Sequence, residues 1–232
     1  MTAAAEPITE FKQVASWRHT AIVVTIMIAV AVQGLMFQSK ASEARLPRGP
    51  MVYLSLIVME LALIYLVWRG IKSTGTTLRD LIGGRWQSLA DVLRDIALAF
   101  VLWLVLIGIA LAWRRVAGGS GLPTSVTAML PQTAAEIVMW IGLSVSAGAA
   151  EEIVFRGYLQ RQFAALTKSS WIALAMQALL FGVSHGYQGI DAMLRITLLA
   201  VAFGLMALWR RSLRPGIIAH AWTDIASGVF HA

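Results

Sequence analysis

Thr133–Arg161 reads TAAEIVMWIGLSVSAGAAEEIVFRGYLQR. Its run Thr133–Phe155 is apolar or small almost throughout and reaches the ~20 residues that a helix needs to cross a bilayer. At its far end stand Glu151, Glu152 and Arg156. A charged side chain at bilayer depth costs roughly 2.5–3.5 kcal/mol on insertion scales, so such a group marks a buried pair or a function. Working outward, six further apolar runs follow the same pattern: Thr20–Phe37, Met51–Trp68, Val92–Trp113, Trp171–Ser184, Ala192–Trp209 and Pro215–Phe230. The runs from Trp171 and from Pro215 are short. The expectation is an all-α fold, a polytopic membrane helical bundle of about seven transmembrane helices.

Composition agrees. The chain has 232 residues, 58% of them hydrophobic and 13% charged, against about 25% charged in soluble domains. Its net charge of +7 is carried between the apolar runs, as the positive-inside rule and anionic lipid require, and no interleaved basic and aromatic patch points to nucleic acid. Thirteen Lys and Arg flank the N-terminus and the loops after the second, fourth and sixth runs. Six, namely Lys40, Arg45, Arg48, Arg114, Arg115 and Arg195, fall on the other side. This bias predicts a multi-pass protein of the inner (plasma) membrane with a cytoplasmic N-terminus and an external C-terminus. The polar start lacks the short apolar core and small-residue cleavage site of a signal peptide, so the first run reads as a retained span. Cysteine is absent, which excludes disulfides, thiolate metal sites and cysteine catalysis. The organisation reads as a cytoplasmic segment 1–18, spans without a motif over 19–132, and a chemistry-bearing part over 133–232.

Within that last part three polar groups recur on separate apolar helices. Glu152 and Arg156 are i,i+4 neighbours and can pair. Glu151 then points about 100° away and is left free. Ser144, Ser146, Ala147, Gly148, Ala149 and Ala150 are small and let other helices approach closely. His185 ends the stretch Phe181-Gly-Val-Ser-His185, and His220 and Asp224 stand four apart, facing one way about 6 Å along a helix axis. Each feature alone also fits a structural role: a helix-end charge pair, a satisfied core histidine, a His–Asp packing lock.

Taken in order, EExxxR at 151–156, FxxxH at 181–185 and HxxxD at 220–224 resemble the CPBP family of intramembrane proteases, also called the CAAX-prenyl protease or Abi family. The resemblance covers about 142–227 and leaves the first three spans unmatched. It implies a glutamate-dependent endopeptidase without a covalent intermediate or a cofactor. By resemblance Glu151 would be the general base, with His185 as its partner on the attacking water. His220 and the residue at 224 would stabilise the oxyanion, and Glu152 and Arg156 would shape the site. Some family members cut prenylated proteins; bacterial ones include peptide-processing and immunity proteins. The implied partners are a peptide or lipidated protein substrate and the lipid bilayer.

The chemistry is reasonable on its own terms. A desolvated carboxylate is a better base near neutral pH, a neutral imidazole can share the water, and a second polar site can meet developing charge. One residue departs from the family pattern, which most often has Asn where this chain has Asp224. An ionised Asp has no proton to give an oxyanion, so Asp224 either orients His220 or is held protonated.

Rival readings use the same residues. Two histidines and a carboxylate, namely His185, His220 and Glu151, make a catalytic zinc set, although HExxH is lacking. A non-catalytic immunity or scaffold protein would keep the fold. A midplane transporter usually shows internal repeats, and none is visible. Gly182-Val-Ser184-His-Gly186 fits G-x-S-x-G but lacks the strand-turn-helix setting. Elsewhere, Glu60 lies in mid-span, where a buried basic partner or a substrate or proton role is expected. Asp191 and Arg195 suit an i,i+4 pair, Leu78–Leu93 has the spacing of an amphipathic surface helix, and the tryptophans at run ends suit an interfacial belt.

Overall fold

The computed structural model describes residues 11–41, 49–118 and 124–230, and among these it contains no strand. Arg45 and Arg48, which entered the sequence reading, lie outside the described residues. The helices are α1 (Trp17–Ala41), α2 (Pro50–Lys72), α3 (Leu78–Ile82), α4 (Leu89–Ala117), α5 (Thr124–Thr127), α6 (Ala134–Glu151), a π-helical segment (Glu152–Leu159), α7 (Gln160–Thr167), α8 (Ser170–Ser184), α9 (Ile190–Arg210) and α10 (Arg214–Val229). Local chemistry starts several of them. The hydroxyls of Thr77, Ser88, Thr133 and Ser169 accept the amide hydrogens of Asp80, Asp91, Glu136 and Ile172, satisfying donors that a helix start leaves open. Pro50 and Pro215 occupy first-turn positions, where a missing N–H is harmless.

All seven apolar runs are helical. Five spans, Trp17–Met36, Pro50–Lys72, Leu89–Ala117, Ala134–Thr167 and Ile190–Arg210, are long and apolar enough to cross a membrane. The 15 residues of α8 and 16 of α10 reach only about 22–24 Å. Outward faces are apolar, with Val58, Leu61, Val101, Leu111, Val138 and Leu179 exposed. The main core wraps the π segment: Ile153, Val154, Phe155, Tyr158 and Leu159 pack with Val23, Met27, Val67, Ile71 and Phe181 from neighbouring helices. A smaller core joins α4, α9 and α10 through Leu102, Leu106, Phe203 and Ala219.

The basic loops gather at one end of the bundle. Val14 and Ala15 donate their amide hydrogens to Gln162 Oε1 at 2.6 and 3.4 Å, and Thr74 donates to Val14 O at 2.7 Å. Arg161 donates to Leu81 O at 3.1 Å, and Leu213 N–H to Ile82 O at 2.9 Å. Here a second charged group is buried. Asp95 accepts from Trp86 Nε1 at 2.8 Å, Arg210 Nε at 2.9 Å and Arg214 Nη1 at 3.4 Å. Arg214 also donates to the Gly83 and Gly84 carbonyls and lies over the Trp86 ring. At the opposite end Tyr53 donates its hydroxyl hydrogen to Met129 O at 2.7 Å.

Three expectations are corrected. The amphipathic helix expected over Leu78–Leu93 is two elements, because Gly83 and Gly84 adopt positive φ (100° and 83°) and stop α3 after Ile82. Asp191 does not pair with Arg195; its carboxylate accepts the Trp113 indole hydrogen at 2.9 Å, tying α4 to α9. An i,i+4 ion pair offers only about 0.2–0.5 kcal/mol to compete with that tie. Trp113, Trp86 and Trp140 are thus inter-element donors, whereas Trp17, Trp68, Trp171 and Trp209 are exposed, as a belt requires.

Candidate active site

The small-residue stretch of α6 lets α10 come close. A Cβ on Gly148 would lie 3.0 Å from Ala221 N and 3.1 Å from Ile217 O, so the two backbones are in contact and only glycine fits. That approach brings His220 against the glutamate pair. Glu152 Oε1 is 2.8 Å from Arg156 Nη1 and 3.2 Å from His220 Nδ1. His220 Nε2 lies 3.4 Å from Glu151 Oε2 and 3.8 Å from Asp224 Oδ2. Both ring nitrogens therefore face carboxylates, and only a doubly protonated ring or a protonated carboxyl satisfies both ends at once.

The π segment begins at Glu152, and all eight of its residues are buried. π turns are rare and frequently mark functional sites. Arg156, read from the sequence as part of the basic end, is instead 2% exposed. Its guanidinium lies over Phe181 at 4.4 Å and Phe203 at 5.0 Å and donates to Ala200 O at 3.4 Å. A cation so placed is held by aromatic faces as well as by its glutamate.

The two glutamates differ as expected. Glu152 is fully buried and held by Arg156 and His220, with Gly216 leaving the space beside its Oε2. Glu151 is partly open, at 18% side-chain exposure, and its Oε2 makes no hydrogen bond. His185 sits just beyond α8. Its Nδ1 donates to Phe181 O at 2.8 Å, so a neutral ring presents Nε2 as an acceptor. It makes no hydrogen bond or ion pair with Glu151; Phe181 lies between the histidines, its ring centroid 4.6 Å from His185 and 6.2 Å from His220. Ser184, the serine of G-x-S-x-G, donates to Phe181 O at 2.7 Å on a helix end with no strand before it. Among the described residues no group of three His, Asp or Glu is disposed to hold a metal ion.

The structure adds residues that the motifs did not name. Trp140 donates its indole hydrogen to Asp224 O at 2.8 Å, and Phe203 lies 5.0 Å from the His220 ring at 32°. Neither carries a sequence signal beyond being aromatic within an apolar run. Glu60 of α2 is 6% exposed and makes no ion pair among the described residues, where a buried basic partner is one expectation for it. It interacts electrostatically with Glu151, His220 and Asp224.

Residues 133–226 match the family model described as Rce1-like, type II CAAX prenyl endopeptidase Rce1-like. Comparisons with curated proteins and with solved structures give no match.

Proposed function

We propose, for a chain whose residues 133–226 match the Rce1-like type II CAAX prenyl endopeptidase model, a reaction in which Glu151 activates water for attack on a peptide bond. The observation that supports this reading most is the division of labour between adjacent glutamates. Glu152 is tied down by Arg156 and His220, while Glu151 approaches the histidine only at 3.4 Å and makes no hydrogen bond through that oxygen. A free carboxylate next to a fixed one is a base beside its scaffold. Glu151 takes a proton from water, while the water's remaining O–H donates a hydrogen bond to His185 Nε2. The hydroxide adds to the carbonyl carbon. His220, fixed through Nδ1 by Glu152, turns Nε2 toward the reacting centre, where an N–H meets the oxyanion. Asp224 stands beside that nitrogen. No covalent intermediate forms.

The substrate is a hydrophobic or lipidated peptide that enters from the bilayer, since the outer faces of the helices are apolar and the site lies among them. The protein sits in the plasma membrane with its basic end, and so its N-terminus, in the cytoplasm. The test is cleavage of internally quenched peptides ending in farnesylated, geranylgeranylated or unmodified CaaX tails by reconstituted protein. Cleavage that survives Glu151→Gln would sink the assignment.

A further inference from the structure

One titratable group near the site is used by none of these steps. Glu60 lies midway along α2, outside the segment that matches the family. Helix register puts it at the right level. Tyr53 packs on Trp140 with ring centroids 5.9 Å apart, and a Cβ on Gly142 would lie 3.8 Å from Ile57 Cδ1. The two helices therefore run in the same direction, and continuing that register sets Glu60 beside residues 145–147, one to two turns before Glu151. Tyr53, Glu60 and Val67 form the buried stripe of α2, seven residues apart, so Glu60 faces inward. On the other flank of α6, Gly148 meets Ala221, which puts His220 at the same level.

Glu60 is 6% exposed, and its buried Oε2 has no hydrogen-bond partner. The other acids of the site have cations in reach: Glu152 has Arg156 and His220, and Glu151 and Asp224 have His220. Glu60 makes no ion pair among the described residues, and its charge would meet those of Glu151 and Asp224 as well as that of His220. Burying an unpaired carboxylate anion is costly, whereas a carboxylic acid can sit there with a hydrogen to donate.

We propose that Glu60 is the general acid of the reaction, giving its proton to the leaving nitrogen. This rests on the reading of Glu151 as the base. Water gives one proton to Glu151 and its hydroxide to the carbonyl carbon. The C–N bond then breaks, its electron pair stays on nitrogen, and the Glu60 proton joins that nitrogen to release a neutral amine. The proton held on Glu151 passes to Glu60 and resets both groups.

The test uses the full chain in proteoliposomes. The probe is whichever quenched peptide of the farnesylated, geranylgeranylated and unmodified CaaX set the wild type cleaves fastest, together with its analogue carrying a thioester at the scissile bond. A thiolate leaves without a proton; an amine does not. Glu60→Gln should lower kcat on the amide by about a hundredfold or more with KM unchanged, and leave thioester cleavage within about threefold. Glu60→Asp, which keeps a proton, should recover part of the amide rate. Glu60→Leu, suited to apolar surroundings, gives the same readout should the Gln variant not fold. Equal losses on amide and thioester would make Glu60 structural and overturn the inference, as would an unchanged amide rate. Glu151→Gln should lose both substrates; if it retains the amide, the reading of Glu151 fails first. A wild type that cleaves no peptide of the set overturns both.

Discussion

Two clusters of buried charge stand at different depths of the same bundle, and they are finished to different degrees. At the basic end, Asp95 is fully buried and accepts hydrogens from Trp86, Arg210 and Arg214. Arg214 spends its other donors on the Gly83 and Gly84 carbonyls, and no buried side-chain atom of this cluster lacks a partner. In the interior, Glu60 Oε2, Glu151 Oε2, Glu152 Oε2 and Arg156 Nε have no hydrogen-bond partner among the described residues. A closed network locks helices together. A network left open keeps capacity for water, substrate and charge that appears only during reaction. On the proposed reading, the difference is that between scaffold and site, without reference to any motif.

The largest expected effect lies in the open cluster. Glu151→Gln should cut kcat by about 10²–10⁴-fold with the melting temperature in detergent unchanged; loss of folding alongside activity would erase the contrast. Next comes the closed cluster. Asp95→Ala strands two arginines and should cost about 3–5 kcal/mol of stability, read as a fall in melting temperature. Peptide cleavage per folded molecule should stay within about twofold, since distant sites act independently. If Asp95→Ala instead abolishes cleavage in folded protein, the clusters are one functional unit.

Asp224→Asn sharpens the open side. An amide supplies a donor that an ionised Asp lacks, so the rate at neutral pH should persist within about threefold or rise. A fall of about a hundredfold, the size of losing a transition-state donor or orienter, would instead make the His220–Asp224 pair an orienting device. The smallest effect is expected from chelation: EDTA treatment should leave cleavage unchanged. Stoichiometric zinc, with activity lost to chelation and restored by zinc, would show that the open cluster owes its spare capacity to a metal.

Much of this was visible before any coordinates. The seven helices follow the apolar runs because length and hydropathy decide them locally, and Glu152–Arg156 follows from helical spacing alone. The meeting of Glu151 and Glu152 with His220 was legible only as two motifs on separate helices; the close passage at Gly148 brings them together. Tertiary register was not legible. Nothing local says that Asp191 would take an indole from α4 rather than Arg195, that Arg156 would lie between two phenylalanines, or that Asp95 would collect arginines more than a hundred residues away. The level of Glu60 depends on how α2 lies along α6, and its own stretch carries no trace of that.

The late position of His220 has a consequence for how the protein is made. Glu151 and Glu152 are synthesised nearly seventy residues before the histidine that both of them face. Bundles are threaded into the bilayer from the N-terminus onward, so a half-made chain already exposes its glutamates while the ring opposite them does not yet exist. In the proposed reaction the nascent protein is therefore inert. It acquires activity only when α10 slides against Gly148, and until then it poses no hazard to other chains leaving the same insertion machinery.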